Sequence, residues 1–216
     1  MKILFFGDSI TDADRNRERP ESITGLGGGF VRIVADRLYS QDASAYEIIN
    51  SGISGNRIVD LYQRVKKDFW NYKPDVLNIL IGVNDVWHEI DHANGVELDR
   101  FEQVYRMLIK DTLKVLPNVK IFLMEPFLLE GWATINTEVM PDRYSRFENV
   151  YEYAKVVKKL ADEFNLPFIA LQEKLSKKAS EVGAKHVLID GVHPNFLGAS
   201  IIADAFIEKF NENINK

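Results

Sequence analysis

A short apolar run near the N-terminus, residues 2–6, restricts the folds open to this chain more than any other feature. Such a run is too short for a core helix, but it suits a buried strand of a parallel sheet, and Gly7 then lets the backbone turn. Ser9 therefore follows the carboxyl end of a strand. Ligands bind at that edge of open α/β sheets, so the Ser9 hydroxyl is placed for chemistry. The alternative is an ordinary turn serine that bonds to its own backbone.

The same pattern of strand and turn recurs along the chain and alternates with helical periodicity. Further strands are predicted at residues 46–50, 75–81, 119–124 and 166–170, and a strand leading into the last loop at 185–189. Amphipathic helices are predicted at residues 30–39, 58–69, 96–116, 146–164, 171–182 and 195–211. Residues 125–144 are predicted to be irregular. Because parallel strands need right-handed crossovers, the alternation predicts a parallel sheet with helices on both faces.

Length and composition favour a single domain and exclude several classes of protein. The 216 residues show no shift in composition that would mark a linker, so one domain spanning residues 1–216 is expected. A net charge of −5 argues against a nucleic-acid partner, since phosphate recognition needs clustered Lys and Arg. The absence of cysteine excludes disulfides, thiolate metal sites and a cysteine nucleophile. No run approaches the roughly 20 apolar residues of a membrane span, so we expect a cytoplasmic protein with no membrane partner.

A serine nucleophile at position 9 would need a base and an acid that orients the base. His193 is the best candidate base, because Asp190 lies three residues earlier with Gly191 between them, and a tight turn would bring carboxylate and imidazole together. Pro194 is interpreted as the start of the helix that fixes this loop. The plainer alternative is a capped helix start with a surface histidine. His186 is a weaker candidate, because it lies within the predicted lead-in strand.

The same chemistry needs hydrogen-bond donors for the negative charge that develops on the substrate oxygen. Asn84 offers a side-chain amide in a loop after the strand at residues 75–81, and the backbone amide of Gly55 is free to approach a substrate. Each residue alone is equally typical of a turn. Together with Ser9, Asp190 and His193 they favour a catalytic site.

Four blocks of sequence resemble the SGNH hydrolases, also called GDSL esterases, and they occur in the order of that family. The blocks are Gly7-Asp-Ser9, Asn50-Ser-Gly-Ile-Ser-Gly55, Gly82-Val-Asn-Asp85 and Asp190-Gly-Val-His193. The resemblance implies a flavodoxin-like three-layer α/β/α sandwich whose five-stranded parallel sheet has the order 2-1-3-4-5. It implies that Ser9 is the nucleophile, His193 the base and Asp190 its orienting acid. The oxyanion hole would consist of the Ser9 and Gly55 backbone amides and the Asn84 side chain, with no metal or organic cofactor.

A narrower resemblance points to the intracellular acetyl esterases that act on acetylated xylan fragments. It is carried by Gly82-Val-Asn-Asp-Val-Trp87, by the glycines of residues 25–29 and by Asp190-Gly-Val-His-Pro194. It implies a small acetylated carbohydrate as substrate and leaves a homo-oligomer open. Short-chain acyl esterases, thioesterases and lysophospholipases of the same family are the alternatives. Flat aromatic faces with polar edges suit stacking on a sugar, and the candidate substrate-binding residues are Asp8, Trp87, Trp132 and Tyr144.

Two interpretations from other classes compete with this one. His88-Glu-Ile-Asp-His92 fits the H-E-x-x-H pattern of zinc proteases, but Asn94 and Gly95 end the helix at once. The glycine cluster at residues 25–29 invites a nucleotide- or flavin-binding interpretation. However, the cluster follows no predicted strand and no Lys-Ser/Thr pair follows it, so we interpret it as a flexible entry into the first helix.

Overall fold

The structure of the protein is a computed structural model that describes residues 1–214. In that part of the chain, five parallel strands form one sheet in the order β2-β1-β3-β4-β5. The strands are β1 Lys2–Gly7, β2 Glu47–Gly52, β3 Val76–Leu80, β4 Lys120–Met124 and β5 Phe168–Ile169. The predicted parallel sheet and its strand order are confirmed.

Helices connect successive strands and continue to the end of the described chain. They are α1 Ser9–Asp12, α2 Phe30–Gln41, α3 Ile58–Asp68, α4 Val83–His92, α5 Leu98–Val115, α6 Arg143–Phe147, α7 Val150–Glu163, α8 Gln172–Val182 and α9 Phe196–Ile214. Short 3₁₀ helices lie at Ile23–Leu26, Trp70–Tyr72 and Ala184–His186. None of the helices within residues 1–214 combines the length and apolar character needed to cross a bilayer.

The helices cover the sheet on both faces, as predicted. Helices α2 and α9 pack against each other, whereas α3 packs against α5 and α5 against α7. Successive strand residues point to opposite faces, and β1 shows this directly. The Phe5 ring packs on Phe30 of α2 and Phe206 of α9, and the Phe6 ring packs on Phe69 just after α3. The molecule is therefore a three-layer α/β/α sandwich.

Burial on both faces explains why β1 is a continuous apolar run rather than an alternating one. The side chains of Ile3, Leu4, Phe5 and Phe6 are all 0% exposed. Full burial of a large apolar side chain contributes about 1.5–3 kcal/mol relative to exposure. Strand β1 is thus held firmly between β2 and β3, and its end is a fixed point for the residues that follow.

The strand order places a crevice at the carboxyl ends of β1 and β3. From β1 the chain crosses to β2 on one side, and from β3 it crosses to β4 on the other side. At such a switch point the loops after the two strands diverge, and ligands of open α/β sheets bind between them. The loops after β1 and β3 carry Ser9 and Asn84.

Two sequence predictions about local structure are wrong. The lead-in strand at residues 185–189 is instead the 3₁₀ helix Ala184–His186, followed by an isolated antiparallel bridge between Leu188 and Pro194. Pro194 takes part in that bridge and does not begin α9, whose first residue is Phe196. The apolar residues Val187 and Leu188 gave a strand-like pattern because both are buried, at 0% exposed, in a loop.

The segment after β3 also differs from its prediction. Asn84 was placed in a loop, but it lies in the first turn of α4, which begins at Val83 directly after Gly82. The predicted helix at residues 146–164 is two helices, α6 and α7, separated by a turn at residues 148–149. The irregular stretch is observed, and it occupies residues 125–142.

Candidate active site

Ser9 occupies the first helical position after β1. The carboxylate oxygen Oδ1 of Asp8 accepts a hydrogen bond of 2.9 Å from the backbone N–H of Ile10, which caps the single turn of α1. Backbone N–H groups in a first helical turn have no partner within the helix. The Ser9 amide and hydroxyl are therefore both presented at the strand end.

Residues far apart in the sequence form a continuous hydrogen-bonded relay with Ser9. Ser9 Oγ lies 2.9 Å from Nε2 of His193, and Nδ1 of His193 lies 2.6 Å from Oδ2 of Asp190. The second carboxylate oxygen of Asp190 accepts the backbone N–H groups of Val192 at 2.9 Å and His193 at 2.7 Å. The carboxylate thereby fixes both the imidazole and the loop that carries it. This is the geometry that general-base activation of a serine requires.

Electrostatics favour the same roles. Burial raises the pKa of Asp190, but hydrogen bonds from the side chain and backbone of His193 outweigh it and bring the pKa below the ordinary value. The bond to Asp190 raises the pKa of the His193 imidazole, and partial burial opposes this effect. Asp190 is thus ionised at neutral pH and makes His193 a stronger base.

A pH profile of ester hydrolysis is expected to rise through a midpoint above 6.5, the ordinary histidine pKa. Protonated His193 cannot accept the Ser9 proton, and Asp190 raises the pKa at which that proton is lost. Initial rates of 4-nitrophenyl acetate hydrolysis from pH 5 to 9 measure this midpoint. A rate that does not change over that range would contradict the role of His193 as base.

The candidate oxyanion donors meet beside Ser9. Gly55 has a positive φ of 81°, a conformation that disfavours other residues, and it lines the same cavity as Ser9 and Asn84. The side-chain amide of Asn84 donates to the backbone oxygen of Asn56 at 3.1 Å, which uses one of its two N–H groups and leaves the other for a substrate. The structure therefore brings Ser9, Gly55 and Asn84 together.

Replacing Asn84 with alanine is expected to lower kcat by about 10² to 10³, because a lost oxyanion donor has this effect in serine hydrolysis. KM should change little, since the donor acts most strongly in the transition state. Steady-state kinetics on 4-nitrophenyl acetate test this, with Asn118→Ala as a control at an exposed asparagine before β4. An Asn84→Ala enzyme with wild-type kcat would remove Asn84 from the oxyanion hole.

Two residues to which the sequence analysis assigned no role hold these loops in place. Oδ2 of Asp12 accepts the backbone N–H of Ser54 at 3.0 Å, which ties the Gly55 loop to the helix that begins at Ser9. The Asn50 side chain, 4% exposed, donates to the backbone oxygens of Thr11 at 2.7 Å and Leu26 at 2.8 Å. Asn50 could have been found, because an amide at the end of an apolar strand needs buried partners. Nothing in the sequence pointed to Asp12.

Two further supports lie below the site. The guanidinium of Arg64 in α3 donates to the Gly7 backbone oxygen at 3.1 Å and lies 4.3 Å from the Phe6 ring centroid. The Asp85 carboxylate accepts the N–H of Ile58 at 3.0 Å, which joins the start of α3 to α4. Burial raises the pKa of Asp85 to about 8. Asp85 belongs to a sequence block that was recognised, although no role was assigned to it.

The prediction that Asp8 contacts substrate is corrected by its position. Asp8 is 0% exposed and does not line the cavity, because its side chain turns inward to cap α1. Burial raises its pKa to about 7, with the Ile10 hydrogen bond acting in the opposite direction. Asp8 therefore supports the Ser9 turn from behind.

A cavity of about 710 Å³ opens in front of Ser9. Trp87 lines it, and its ring centroid lies 5.9 Å from that of His193. Trp132 is 71% exposed and lies in an adjoining groove instead. Tyr144 lines neither space: its side chain packs against the core, and burial followed by a hydrogen bond with Tyr151 raises its pKa. Of the three candidate aromatic contacts, the structure brings only Trp87 to the cavity itself.

The remaining cavity wall combines polar and apolar side chains. Its titratable side chains besides the relay are Asp14, His88, Asp91 and His92, and the cluster at residues 25–29 contributes Gly28 and Gly29. Gly29 directly precedes α2, as the helix-entry interpretation predicted. The His88 and His92 rings are 5.7 Å apart, while Glu89 between them accepts the Gly95 N–H at 3.0 Å. Within residues 1–214, no three histidine or acidic side chains are grouped so that they could hold a metal ion.

The irregular segment of residues 125–142 is attached directly to the Asp190 loop. The Leu129 N–H donates to the Gly191 oxygen at 2.9 Å, and the Ala133 N–H donates to the Asp190 oxygen at 3.1 Å. Gly131 passes so close that a Cβ there would lie 2.1 Å from the Asp190 carbonyl carbon. Residues 125–142 therefore brace the Asp190 loop and at the same time present Trp132.

Comparison with known proteins agrees with the fold and the site. Residues 5–201 match the GDSL-like lipase/acylhydrolase family. The chain is 36% identical to an acetylxylan esterase of Geobacillus stearothermophilus, over 96% of this chain and 93% of that protein. A crystal structure of that esterase superposes with a TM-score of 0.82 at 35% identity, covering 96% of this chain and 93% of the other. The structure of a GDSL-like lipase from Parabacteroides merdae superposes with a TM-score of 0.86 at 35% identity. The match covers 97% of this chain and 95% of that chain.

The fold, the relay and these matches together define a carboxylic ester hydrolase. The chain belongs to the GDSL-like lipase/acylhydrolase family, and the resemblance predicted from its four sequence blocks is confirmed. Among the structures of the Geobacillus esterase are a serine, an aspartate and a histidine variant, each described as a catalytic mutant.

Proposed function

We propose that the protein is a serine esterase that removes acetyl groups from acetylated xylo-oligosaccharides through an acyl-enzyme on Ser9. The observation that carries the proposal is the relay from Ser9 Oγ through His193 to Asp190 at 2.9 and 2.6 Å, which opens into a cavity whose wall carries polar side chains among apolar ones. The relay supplies the chemistry, and the wall supports a carbohydrate as the alcohol part of the ester.

In the first half of the reaction, Ser9 Oγ attacks the acetyl carbonyl carbon while His193 Nε2 accepts the hydroxyl proton. The carbonyl oxygen becomes an oxyanion, which the Ser9 and Gly55 amides and the Asn84 side chain stabilise. When the tetrahedral species collapses, the bond to the sugar oxygen breaks and His193 returns the proton to that oxygen. The sugar leaves with a free hydroxyl, and the acetyl group remains on Ser9.

In the second half, a water molecule takes the position of the sugar hydroxyl. His193 removes its proton as it attacks the acetyl carbon, and the same donors stabilise the new oxyanion. Collapse then breaks the bond to Ser9 Oγ, which recovers its proton from His193, and acetate departs. Asp190 keeps its charge throughout and stabilises the imidazolium that forms twice.

The polar side chains of the cavity wall favour a sugar over a long acyl chain. Asp14, Asp91 and His92 present polar atoms to the cavity, and covering them with a hydrocarbon chain would cost desolvation without new hydrogen bonds. Burial, followed by the neighbouring charge of Arg57, lowers the pKa of His88, so its imidazole is neutral at pH 7. A neutral imidazole can donate to one sugar hydroxyl and accept from another. The similarity to an acetylxylan esterase points to the same substrate class.

The substrate is tested by acetate release from acetylated xylo-oligosaccharides, with 4-nitrophenyl palmitate and acetyl-coenzyme A assayed in parallel. We expect kcat/KM for the acetylated oligosaccharide to exceed that for the long-chain ester by at least about 10², since polar groups left unpaired under an acyl chain oppose its binding. A preference for the palmitate ester would contradict the carbohydrate substrate and indicate a long-chain acyl esterase that uses the same mechanism. A preference for acetyl-coenzyme A would likewise indicate a thioesterase.

A further inference from the structure

A second groove lies beside the Ser9 cavity. It has a volume of about 410 Å³ and shares Trp87 and Asp91 with the cavity, so the two spaces adjoin. Its outer side is formed by the segment of residues 125–142, from which Trp132 and Val139 project. Their exposures of 71% and 95% show that nothing in the described chain covers this side.

An ion pair between Arg143 and Asp91 lines the groove, and both carboxylate oxygens of Asp91 accept hydrogen bonds from it. Nη1 and Nη2 of Arg143 donate to the two carboxylate oxygens of Asp91 at 2.5 and 3.0 Å. The Trp87 indole N–H donates to the same carboxylate at 2.6 Å, and Arg143 Nε donates to the backbone oxygen of Ala133 at 2.7 Å. Arg143 thereby locks α4 to the segment that carries Trp132. The groove is preformed, because a bidentate pair of this kind fixes both position and orientation.

The chemistry of the groove identifies its occupant. An exposed tryptophan face beside polar groups suits a pyranose ring, which has apolar C–H faces and a polar rim. Thr137 adds a hydroxyl, which accepts the Met140 N–H at 3.0 Å and keeps its own proton for a ligand. A hydrocarbon chain would instead lie against the Asp91–Arg143 pair, which favours a polar ligand. Because the groove adjoins the Ser9 cavity at Trp87 and Asp91, its occupant can belong to the same substrate molecule.

We propose that the groove between Trp87 and Trp132 binds a second, neighbouring sugar residue of the oligosaccharide whose acetyl group lies at Ser9. The inference rests on the proposed carbohydrate substrate and adds a determinant of chain length to it. Trp132 is the specificity-determining residue, because it contacts the sugar next to the acetylated one. Arg143 and Asp91 are positioning residues that hold the two walls of the groove.

The experiment compares two substrates that differ only in length, acetylated methyl β-xyloside and acetylated xylotetraose. The wild type should prefer the tetraose. Trp132→Ala should lower the ratio of the two kcat/KM values about tenfold, through a higher KM for the tetraose, because one stacking contact is lost. Trp132→Phe should retain most of the ratio. The control is Tyr72→Ala, which removes an aromatic ring that is 43% exposed and lies just before β3, at the amino-terminal ends of the strands. It should leave kcat/KM for both substrates unchanged.

Three results would overturn the inference, and they are distinguishable. Equal ratios for the wild type and Trp132→Ala would remove the groove from substrate binding while leaving the esterase assignment intact. A wild type inactive on both sugar esters but active on 4-nitrophenyl acetate would overturn the proposed function, and the inference with it. Sedimentation that shows an oligomer of the wild type but not of Trp132→Ala would make the groove an interface between copies of the chain.

Discussion

Ser9→Ala is expected to lower kcat for acetate release by about 10⁶, the scale seen when a nucleophile is removed from a serine hydrolase. No other group in the cavity takes over, because the 2.9 Å contact with His193 Nε2 is made by Ser9 Oγ and the acyl-enzyme cannot form without that oxygen. His193→Ala should cost a similar factor, since the two residues act as a unit. The residual kcat of these variants should approach the rate that the oxyanion donors support without the nucleophile and base.

The assay is acetate release from acetylated xylo-oligosaccharide at pH 8. The melting temperature of each purified variant is compared with that of the wild type, so that loss of activity is not confused with unfolding. Ser180→Ala, at an exposed serine of α8, serves as the control and should behave as the wild type. Incubation with a fluorophosphonate probe should label the wild type and leave Ser9→Ala unlabelled. Acetate release by Ser9→Ala at a substantial fraction of the wild-type rate would refute the nucleophile and the two-step mechanism.

Asp190→Asn is expected to lower kcat by about 10⁴. Asparagine keeps an oxygen that can accept the backbone N–H groups of Val192 and His193, so the loop should retain its shape. It places an amide N–H where the carboxylate now lies 2.6 Å from His193 Nδ1, which favours the imidazole tautomer whose Nε2 carries the proton. That tautomer cannot accept the proton of Ser9.

The variant also changes the pH dependence in a defined direction. Because the bond to Asp190 is the main cause of the raised His193 pKa, its loss should move the acidic limb of the rate profile to lower pH. Asp162→Asn, at an exposed acid in α7, is the matched control and should leave the profile in place. A variant with kcat within tenfold of the wild type would contradict the role of Asp190 as the orienting acid.

The sequence predicted the parts of the site that depend on local pattern. Short apolar runs ended by turns located the strands, and the residues after them identified Ser9, Gly55 and Asn84. The helical position of Asn84 was missed, because Gly82 adopts a positive φ of 135° and the helix begins immediately afterwards. A glycine in that position reads equally well as the start of a loop.

Contacts between distant segments could not be predicted in the same way. The bond from Ser54 to Asp12 joins residues 42 positions apart, and the pair of Arg143 with Asp91 joins residues 52 apart. A single sequence contains no signal for such pairs, since an acid or an arginine in a polar stretch is most often solvated. The buried position of Asp8 was missed for a different reason: its carboxylate turns inward to cap a helix of one turn, which is too short to show helical periodicity in the sequence.

The close passage of Gly131 over the Asp190 loop affects how this enzyme can diversify. Residues 125–142 present Trp132 to the groove, yet their backbone also holds Asp190 and Gly191 through two hydrogen bonds. Grafting this segment from a relative to retune substrate preference would therefore disturb the reaction centre unless the graft keeps glycine at position 131 and both backbone bonds. We therefore expect substitutions in residues 125–142 that change substrate preference to change kcat as well, and kinetic measurements on variants evolved for either property test this.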